Sequence, residues 1–267
     1  MIKLPDTAAI ILERDGGWLT IWFNTPANRN ALSDQLVSEV SATLDAVKDD
    51  RSIRGITLRG KGGVFCAGAD LKAFQAGLSG TLTHESAMAI NRGAGELFAK
   101  INNTPQVVVV LIEGAAIAGG LGLACCADVI AVTKDAKFSL TETQIGIPPA
   151  QIAPHVVRRV GMTTAREIML TGARFKGDEA HEIGIANFLA DDAAGLDAIE
   201  AKVREGVMRC APGANALTKE ILLAAPKLTS DEMLDFAANR FASAILSDEG
   251  REGIASFIEK RKPEWAE

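Results

Sequence analysis

The chain has 267 residues, of which 48% are hydrophobic and 23% charged, and its net charge is −6. This composition is ordinary for a globular enzyme and does not indicate a nucleic-acid surface. No apolar run approaches the roughly 18–20 residues needed to span a bilayer. The first residues carry charge within their apolar part and lack a cleavage-site pattern, so we expect no signal peptide. The four cysteines form no CxxC pair and the three histidines are far apart, which favours reduced thiols, no metal site and a cytoplasmic location.

The first elements are predicted to be a β-hairpin, a helix and a strand. Apolar runs from Ala8 to Glu13 and from Trp18 to Phe23 are separated by Asp15-Gly16-Gly17, which is typical of a hairpin turn. After a polar loop, Ser33 is predicted to cap a helix whose apolar face extends to Val47. Ile53 to Leu58 is the next predicted strand.

A glycine-rich joint follows this strand. The loop opens with Gly62-Gly63, continues in a short extended piece, and makes a tight turn from Ala67 to Asp70. We expect the N–H of Ala69 to face a cavity at the end of the strand, and Leu71 to Phe74 to begin a helical turn. Gly77 to Thr83 is either a lid or, more in keeping with its composition, a plain surface loop.

A second joint of the same kind follows a predicted helix from His84 to Ile101. Val107 to Leu111 is predicted to be a fully buried strand, and the chain then reaches Gly119-Gly120 just before another apolar segment. A strand that turns through glycines into a helix leaves backbone N–H groups free at the helix N-terminus. We therefore interpret the Gly119 N–H as half of an oxyanion hole, the alternative being a joint in which glycine serves only packing.

The alternation of strands and helices predicts an α/β core with much parallel pairing. Further strands are expected at Asp128 to Thr133 and Lys137 to Leu140, and Glu142 directly follows the latter. Ligands in such folds bind at the carboxyl ends of the strands, where both joints lie. We place a boundary near Asp191-Asp192, giving a core of residues 1–191 and a helical region of residues 192–267 with breaks near Cys210 to Gly213, at Pro226 and at Gly250.

Two backbone amides that converge from separate loops suit the stabilisation of a carbonyl oxygen whose negative charge grows during reaction. A carboxylate above the same site can move a proton to or from the adjacent carbon. Glu142 is the best-placed carboxylate, although a glutamate in such a loop is more often a surface residue.

Three motifs resemble those of the crotonase, or enoyl-CoA hydratase/isomerase, superfamily: FCAGADLK (Phe65 to Lys72), EGAAIAGGLGLACCAD (Glu113 to Asp128) and FSLTETQIGIPP (Phe138 to Pro149). The resemblance covers most of the chain. It implies an α/β fold with a repeated ββα spiral core and a C-terminal helical region, and a homotrimer or dimer of trimers. It also implies acyl-CoA thioester substrates, with coenzyme A as part of the substrate and no separate cofactor.

The resemblance also assigns residues. Ala69 and Gly119 match the two oxyanion-hole amides, and Glu142 matches one of two catalytic glutamates of hydratases. The other glutamate falls at Gly122, so this chain lacks one acid. The residues implied to line the coenzyme A path are Asn28, Arg29, Ala67, Gly68, Asp70, Leu71 and Lys72, with Phe257 and Lys260 approaching the adenine end from the same or a neighbouring subunit.

The substrate class is narrowed by the segments from Glu142 to Gly161, from Arg209 to Leu223 and from Phe257 to Glu267. These are most similar to isohexenylglutaconyl-CoA hydratases of acyclic terpene breakdown, followed by methylglutaconyl-CoA hydratases of leucine breakdown. The alternatives are an enoyl-CoA isomerase that uses one glutamate, a general enoyl-CoA hydratase of fatty-acid breakdown, and a non-catalytic acyl-CoA or RNA binder. Gln151 and His155 line the acyl pocket in one interpretation and have a core or loop role in the other. Without the family match, the basic residues Lys260 to Lys262 would be interpreted as a solvated helix end.

Overall fold

The computed structural model describes residues 3–70, 75 and 82–266. Its larger sheet has the strand order β1-β2-β3-β4-β6-β9, in which β1 and β2 are antiparallel and the other neighbours parallel. These strands are β1 (Ile10–Asp15), β2 (Trp18–Phe23), β3 (Gly55–Gly60), β4 (Val107–Ile112), β6 (Val129–Thr133) and β9 (Phe188–Ala190). A smaller sheet pairs β5 (Ala115–Ile117) in parallel with β7 (Lys137–Ser139), and β7 antiparallel with β8 (Arg174–Lys176).

The helices of the described residues cover the larger sheet and form the C-terminal region. They are α1 (Asp34–Val47), α2 (His84–Asn103), α3 (Gly119–Ala124), α4 (Ala153–Leu170), α5 (Gly177–Glu182), α6 (Ala193–Met208), α7 (Pro212–Ala224), α8 (Ser230–Ile245) and α9 (Asp248–Glu259). Ser33 caps α1 as predicted, since its side chain accepts a hydrogen bond from the Leu36 N–H at 3.3 Å. No helix within the described ranges is both long and apolar enough to cross a membrane.

Both faces of the larger sheet are buried. One face contributes to the main core, and the other packs against α6 through a smaller cluster that includes Trp18, Leu111 and Leu196. The partly buried guanidinium of Arg59 forms ion pairs with Glu113 and with Asp197 of α6. The first helix after the predicted boundary at residues 191–192 is thus packed on the sheet, which supports the α/β core with an attached helical region.

The predicted order of strands and helices is confirmed, with differences at the margins. Strand β3 begins at Gly55 rather than Ile53, because Ile53 closes a turn by donating its N–H to the Asp50 carbonyl at 3.1 Å. The break predicted at Gly250 is wrong: α9 passes through Gly250, and the chain breaks earlier, where Ser247 caps the helix. Strands β5 and β8 were not predicted, because β5 lies among the small residues of the second joint and β8 has one apolar residue between two charged ones. The predicted helical turn at 71–74 and most of the segment 77–83 lie outside the described residues.

Candidate active site

A buried asparagine fixes the first glycine joint. The Asn30 side-chain amide donates hydrogen bonds to the carbonyls of Lys61 and Val64 at 2.9 and 2.7 Å, and its oxygen accepts one from the Thr25 N–H at 2.8 Å. Nearby, the Leu32 N–H donates to the Gly68 carbonyl at 2.8 Å. All polar atoms of this side chain are satisfied, so the loop after β3 is held firmly against the loop after β2.

The two joints meet as the sequence predicts. Cys66 forms an isolated parallel β-bridge with Ala116 of β5, and the Ile117 N–H donates to the Cys66 carbonyl at 3.0 Å. Gly68 has a φ of +87°, and a Cβ added there would lie 3.3 Å from the Gly119 nitrogen. A Cβ added at Gly119 would lie 3.7 Å from the Ala69 nitrogen. The two amides are therefore neighbours, and within the described residues neither donates a hydrogen bond to an internal acceptor.

The peptide that carries the Gly119 N–H is held by a strained residue. Ala118 has φ 50° and ψ −120°, a backbone conformation that residues other than glycine rarely adopt. Its N–H donates to the Ser139 carbonyl at 2.8 Å, and its carbonyl accepts from the Gly122 N–H at 3.0 Å. These bonds fix both sides of Ala118 and so set the direction of the next N–H. No sequence pattern pointed to Ala118, because alanine at a joint carries no signal of positive φ.

The pairing of β7 with β5 directs Glu142 toward the chain end of β5 that leads to Gly119. Ile117 is in register with Ser139, and Glu142 begins the short 3-10 turn that follows β7. The side chain is partly buried, and its Oε2 atom is buried with no hydrogen-bond partner among the described residues. Burial raises the pKa of the Glu142 carboxyl, because the charged form loses hydration. An unpartnered buried carboxyl oxygen of this kind is available to a bound substrate or water.

At Gly122, where the resemblance implies that a second acid is missing, a side chain would have no space. Gly122 lies three residues after Gly119 in α3, and a Cβ added there would stand 2.0 Å from Cγ2 and 2.3 Å from Cβ of Ile152. Ile152 is 4% exposed. The family resemblance implies that an acid is absent here, but the sequence gives no signal that Ile152 fills the space.

Gln151 and His155, on either side of Ile152, both face α2. The Gln151 side-chain amide donates to Asn91 Oδ1 at 2.8 Å. The His155 ring meets Phe98 edge-on, with ring centroids 6.2 Å apart, and its Nδ1 is buried without a described partner. Burial, with a smaller effect of the nearby Arg158 charge, lowers the pKa of His155. The structure shows a packing role for both side chains, and their contact with an acyl group stays a prediction.

The residues expected along the coenzyme A path divide into two groups. Asn28 and Arg29 are exposed. The Ala67 N–H donates a hydrogen bond to the Arg29 carbonyl at 3.1 Å, which places their loop next to the segment that contains Gly68 and Asp70. Leu71 and Lys72 lie outside the described residues.

Phe257 and Lys260 are not brought to this site within one chain. Their helix, α9, packs at Gly253 against Trp265, and the carbonyl of Trp265 accepts a hydrogen bond from Arg54 at 3.0 Å. Arg54 immediately precedes β3, whereas the first joint follows the other end of that strand. Phe257 is 85% exposed, so it and Lys260 are accessible to another copy of the chain.

This arrangement can stabilise a developing oxyanion and transfer a proton next to it. The paired amides of Ala69 and Gly119 are suited to a thioester oxygen, and the unpartnered carboxyl of Glu142 is suited to the proton. Across the described residues no group of three or more His, Cys, Asp or Glu side chains is arranged to hold a metal ion.

Known proteins share this architecture over nearly the whole chain. A family model described as enoyl-CoA hydratase/isomerase matches residues 13–267. The solved structure of Pseudomonas aeruginosa AtuE is 45% identical, with a TM-score of 0.94 and coverage of 97% of this chain and 100% of that one. An enoyl-CoA hydratase/isomerase from Marinobacter aquaeolei is 40% identical, with a TM-score of 0.93 and coverage of 97% and 99%. The human mitochondrial enoyl-CoA hydratase domain-containing protein 2 is 33% identical over 94% of this chain and 86% of its own length.

Proposed function

The chain belongs to the enoyl-CoA hydratase/isomerase family, and we propose that it adds water to the 2,3 double bond of a branched, glutaconyl-type enoyl-CoA. Isohexenylglutaconyl-CoA and methylglutaconyl-CoA are the substrates to which its motifs point. One observation supports the proposal: among the described residues the buried Oε2 of Glu142 has no hydrogen-bond partner, while the space at Gly122 is filled by Ile152.

In this mechanism the thioester oxygen accepts hydrogen bonds from the N–H groups of Ala69 and Gly119. These donors draw electrons from the conjugated double bond and make its β-carbon electrophilic. The Glu142 carboxylate accepts a proton from water while the water oxygen bonds to the β-carbon, and the electrons of the double bond move to form the thioester enolate. The same carboxyl then returns the proton to the α-carbon, so that one water is added and Glu142 is regenerated.

The raised pKa of Glu142 is consistent with this double role. A carboxyl whose pKa moves toward the working pH can accept a proton and release it within one turnover. A glutaconyl-type substrate brings a carboxylate of its own near the double bond. That group, or a water bound to it, takes the place of the acid that is missing at Gly122.

Coenzyme A is a polyanion, so its path requires hydrogen-bond donors and cations. We assign this path to the exposed loop of Asn28 and Arg29 and to the segment from Ala67 to Lys72. Phe257 and Lys260 reach the adenine end from a neighbouring copy, since they lie beyond the opposite end of β3 in their own chain. This assignment requires a second copy of the chain, and we propose the homotrimer or dimer of trimers that the family resemblance implies.

The test is hydration of methylglutaconyl-CoA and crotonyl-CoA, side by side, in ¹⁸O-labelled water. We expect labelled product from both and much faster turnover of the glutaconyl-type thioester, and the Glu142→Gln variant should lose both reactions. Equal rates on the two thioesters would remove the role of the substrate carboxylate. A product of unchanged mass would instead identify the enzyme as an isomerase, in which Glu142 moves a proton between carbons.

A further inference from the structure

Ile152 occupies the space of the side chain that Gly122 lacks. A Cβ at position 122 would lie 2.0 Å from Cγ2 and 2.3 Å from Cβ of Ile152, and real Cβ atoms almost never approach a neighbour within 3.0 Å. Gly122 has no positive φ, so its backbone does not require glycine. Glycine is needed at position 122 only because the Ile152 side chain already occupies the volume that a Cβ there would fill.

The contact belongs to the wall of the proposed site. Residues three apart on a helix are neighbours on the same face, so position 122 lies beside Gly119, whose N–H is one of the paired amides. A side chain at 122 would extend from the same face of α3. Whatever fills that position therefore determines which group stands next to the bound thioester.

The segment that supplies Ile152 also supplies the catalytic carboxyl. It begins at Glu142, whose carbonyl accepts the Ile147 N–H at 3.2 Å, and ends at Ile152, whose carbonyl accepts the His155 N–H at 3.0 Å. Pro148 and Pro149 stand between them and restrict the backbone. One segment thus holds an acid at its start and, at its end, an apolar side chain that meets α3 at Gly122.

We propose that Gly122 and Ile152 form a size-coupled, specificity-determining pair. Ile152 excludes an acidic side chain from position 122, and this exclusion makes the enzyme selective for substrates that carry their own carboxylate. The inference rests on the proposed function, and it adds the residue that enforces the single-acid site. It also predicts that Gly122→Glu alone will not create a second acid, because the new side chain has no space unless Ile152 is reduced to glycine; even the Cβ of residue 152 is 2.3 Å away.

The first measurement is thermal stability in a double-mutant cycle. Gly122→Ala should lower the melting temperature strongly or abolish soluble expression, and Ile152→Gly should lower it moderately by removing a buried side chain. The double variant should melt well above Gly122→Ala, because removing Ile152 frees the space for the new methyl group. Additive losses, or a Gly122→Ala variant as stable as wild type, would overturn the steric coupling.

The second measurement is the ratio of kcat/KM for methylglutaconyl-CoA to that for crotonyl-CoA. In Gly122→Glu/Ile152→Gly we expect this ratio to fall about tenfold or more, through faster hydration of crotonyl-CoA, since one acid–base group contributes about 10²–10⁴ in rate. Gly122→Gln/Ile152→Gly is the matched control, because it fills the same space without an acid, and its ratio should stay at the wild-type value. An unchanged ratio in a folded glutamate variant would overturn the specificity role.

A failure of this inference is distinguishable from a failure of the proposed function. If wild type shows no preference for the glutaconyl-type thioester, the proposed function is wrong, and the stability cycle still reports whether residues 122 and 152 compete for space. If wild type shows the preference and the folded glutamate variant retains it, Ile152 is only a packing residue. Ile168→Ala, a truncation at a similarly buried position of α4 at 5% exposure, controls for general destabilisation.

Discussion

Replacing Gly119 by alanine tests the amide pair without disturbing the fold. Gly119 has no positive φ, so an alanine is compatible with its backbone. The added Cβ would lie 3.2 Å from the Cδ1 atom of Leu32, at the end of a side chain that can move, and 3.7 Å from the Ala69 nitrogen. The methyl group therefore stands beside the space that the thioester oxygen must occupy to accept from both amides.

The expected loss follows from hydrogen-bond geometry. An oxygen bound to both donors needs to lie about 2.7–3.1 Å from each nitrogen, and displacing it from one donor costs about 10²–10³ in kcat. The fold should tolerate the change, because the added Cβ crowds only the movable end of the Leu32 side chain. A cost of about 1 kcal/mol would lower the melting temperature by about 2–4 °C.

The assay is steady-state hydration with thermal melting on the same preparation. Gly206→Ala in α6 is the matched control, because no atom lies within 4 Å of its added Cβ, and it should retain full activity. A Gly119→Ala enzyme that folds normally and hydrates at the wild-type rate would refute the assignment of this amide to the oxyanion hole.

Three further predictions concern protonation and strain. Because burial raises the pKa of Glu142 in the folded state, its contribution to stability is fully present below the unfolded pKa and is lost as pH rises through the folded pKa. From acid to neutral pH, the melting temperature of wild type should therefore fall relative to that of Glu142→Gln. Parallel melting curves across this range would contradict the prediction. Ala118→Gly should relieve about 1–3 kcal/mol of backbone strain, against about 0.5–1 kcal/mol for the greater chain entropy of glycine in the unfolded state. The melting temperature should therefore rise, while kcat should fall at constant KM. An unchanged kcat would show that the strained conformation does not orient the Gly119 N–H. Burial raises the pKa of the Cys66 and Cys125 thiols to about 12, so a thiol reagent at neutral pH should modify only the exposed Cys210 in the native protein; rapid labelling of a second thiol would contradict this.

The sequence contains enough information to predict the fold and the meeting of the two joints. The continuous apolar run at Val107–Leu111 is visible as a buried strand, and glycine pairs mark the places where strands turn into loops or helices. The register that brings Glu142 toward Gly119 follows from the pairing of β5 with β7, and only the second of these strands was predicted. Its position was inferred from strand order, and the structure supplies the partner.

Other features depend on tertiary contacts that leave no local pattern. The positive φ of Ala118 is held by two hydrogen bonds, one that its N–H donates to the Ser139 carbonyl and one that its carbonyl accepts from the Gly122 N–H. Alanine itself gives no hint of that conformation. The filling of the space at Gly122 by Ile152 joins positions thirty residues apart. The remote position of Phe257 depends on how α9 packs, through Trp265, at the start of β3.

In the proposed mechanism the paired amides hold a thioester enolate while Glu142 moves its proton. Exchange of the α-proton of hydrated methylglutaconyl-CoA in D₂O, followed by NMR, tests this most directly, because it reports enolate formation whether or not water is eliminated. We predict rapid exchange with wild type and Gly206→Ala, and loss of exchange by about 10²-fold or more with Gly119→Ala and with Glu142→Gln. Exchange at the wild-type rate in the Glu142→Gln enzyme would contradict the account.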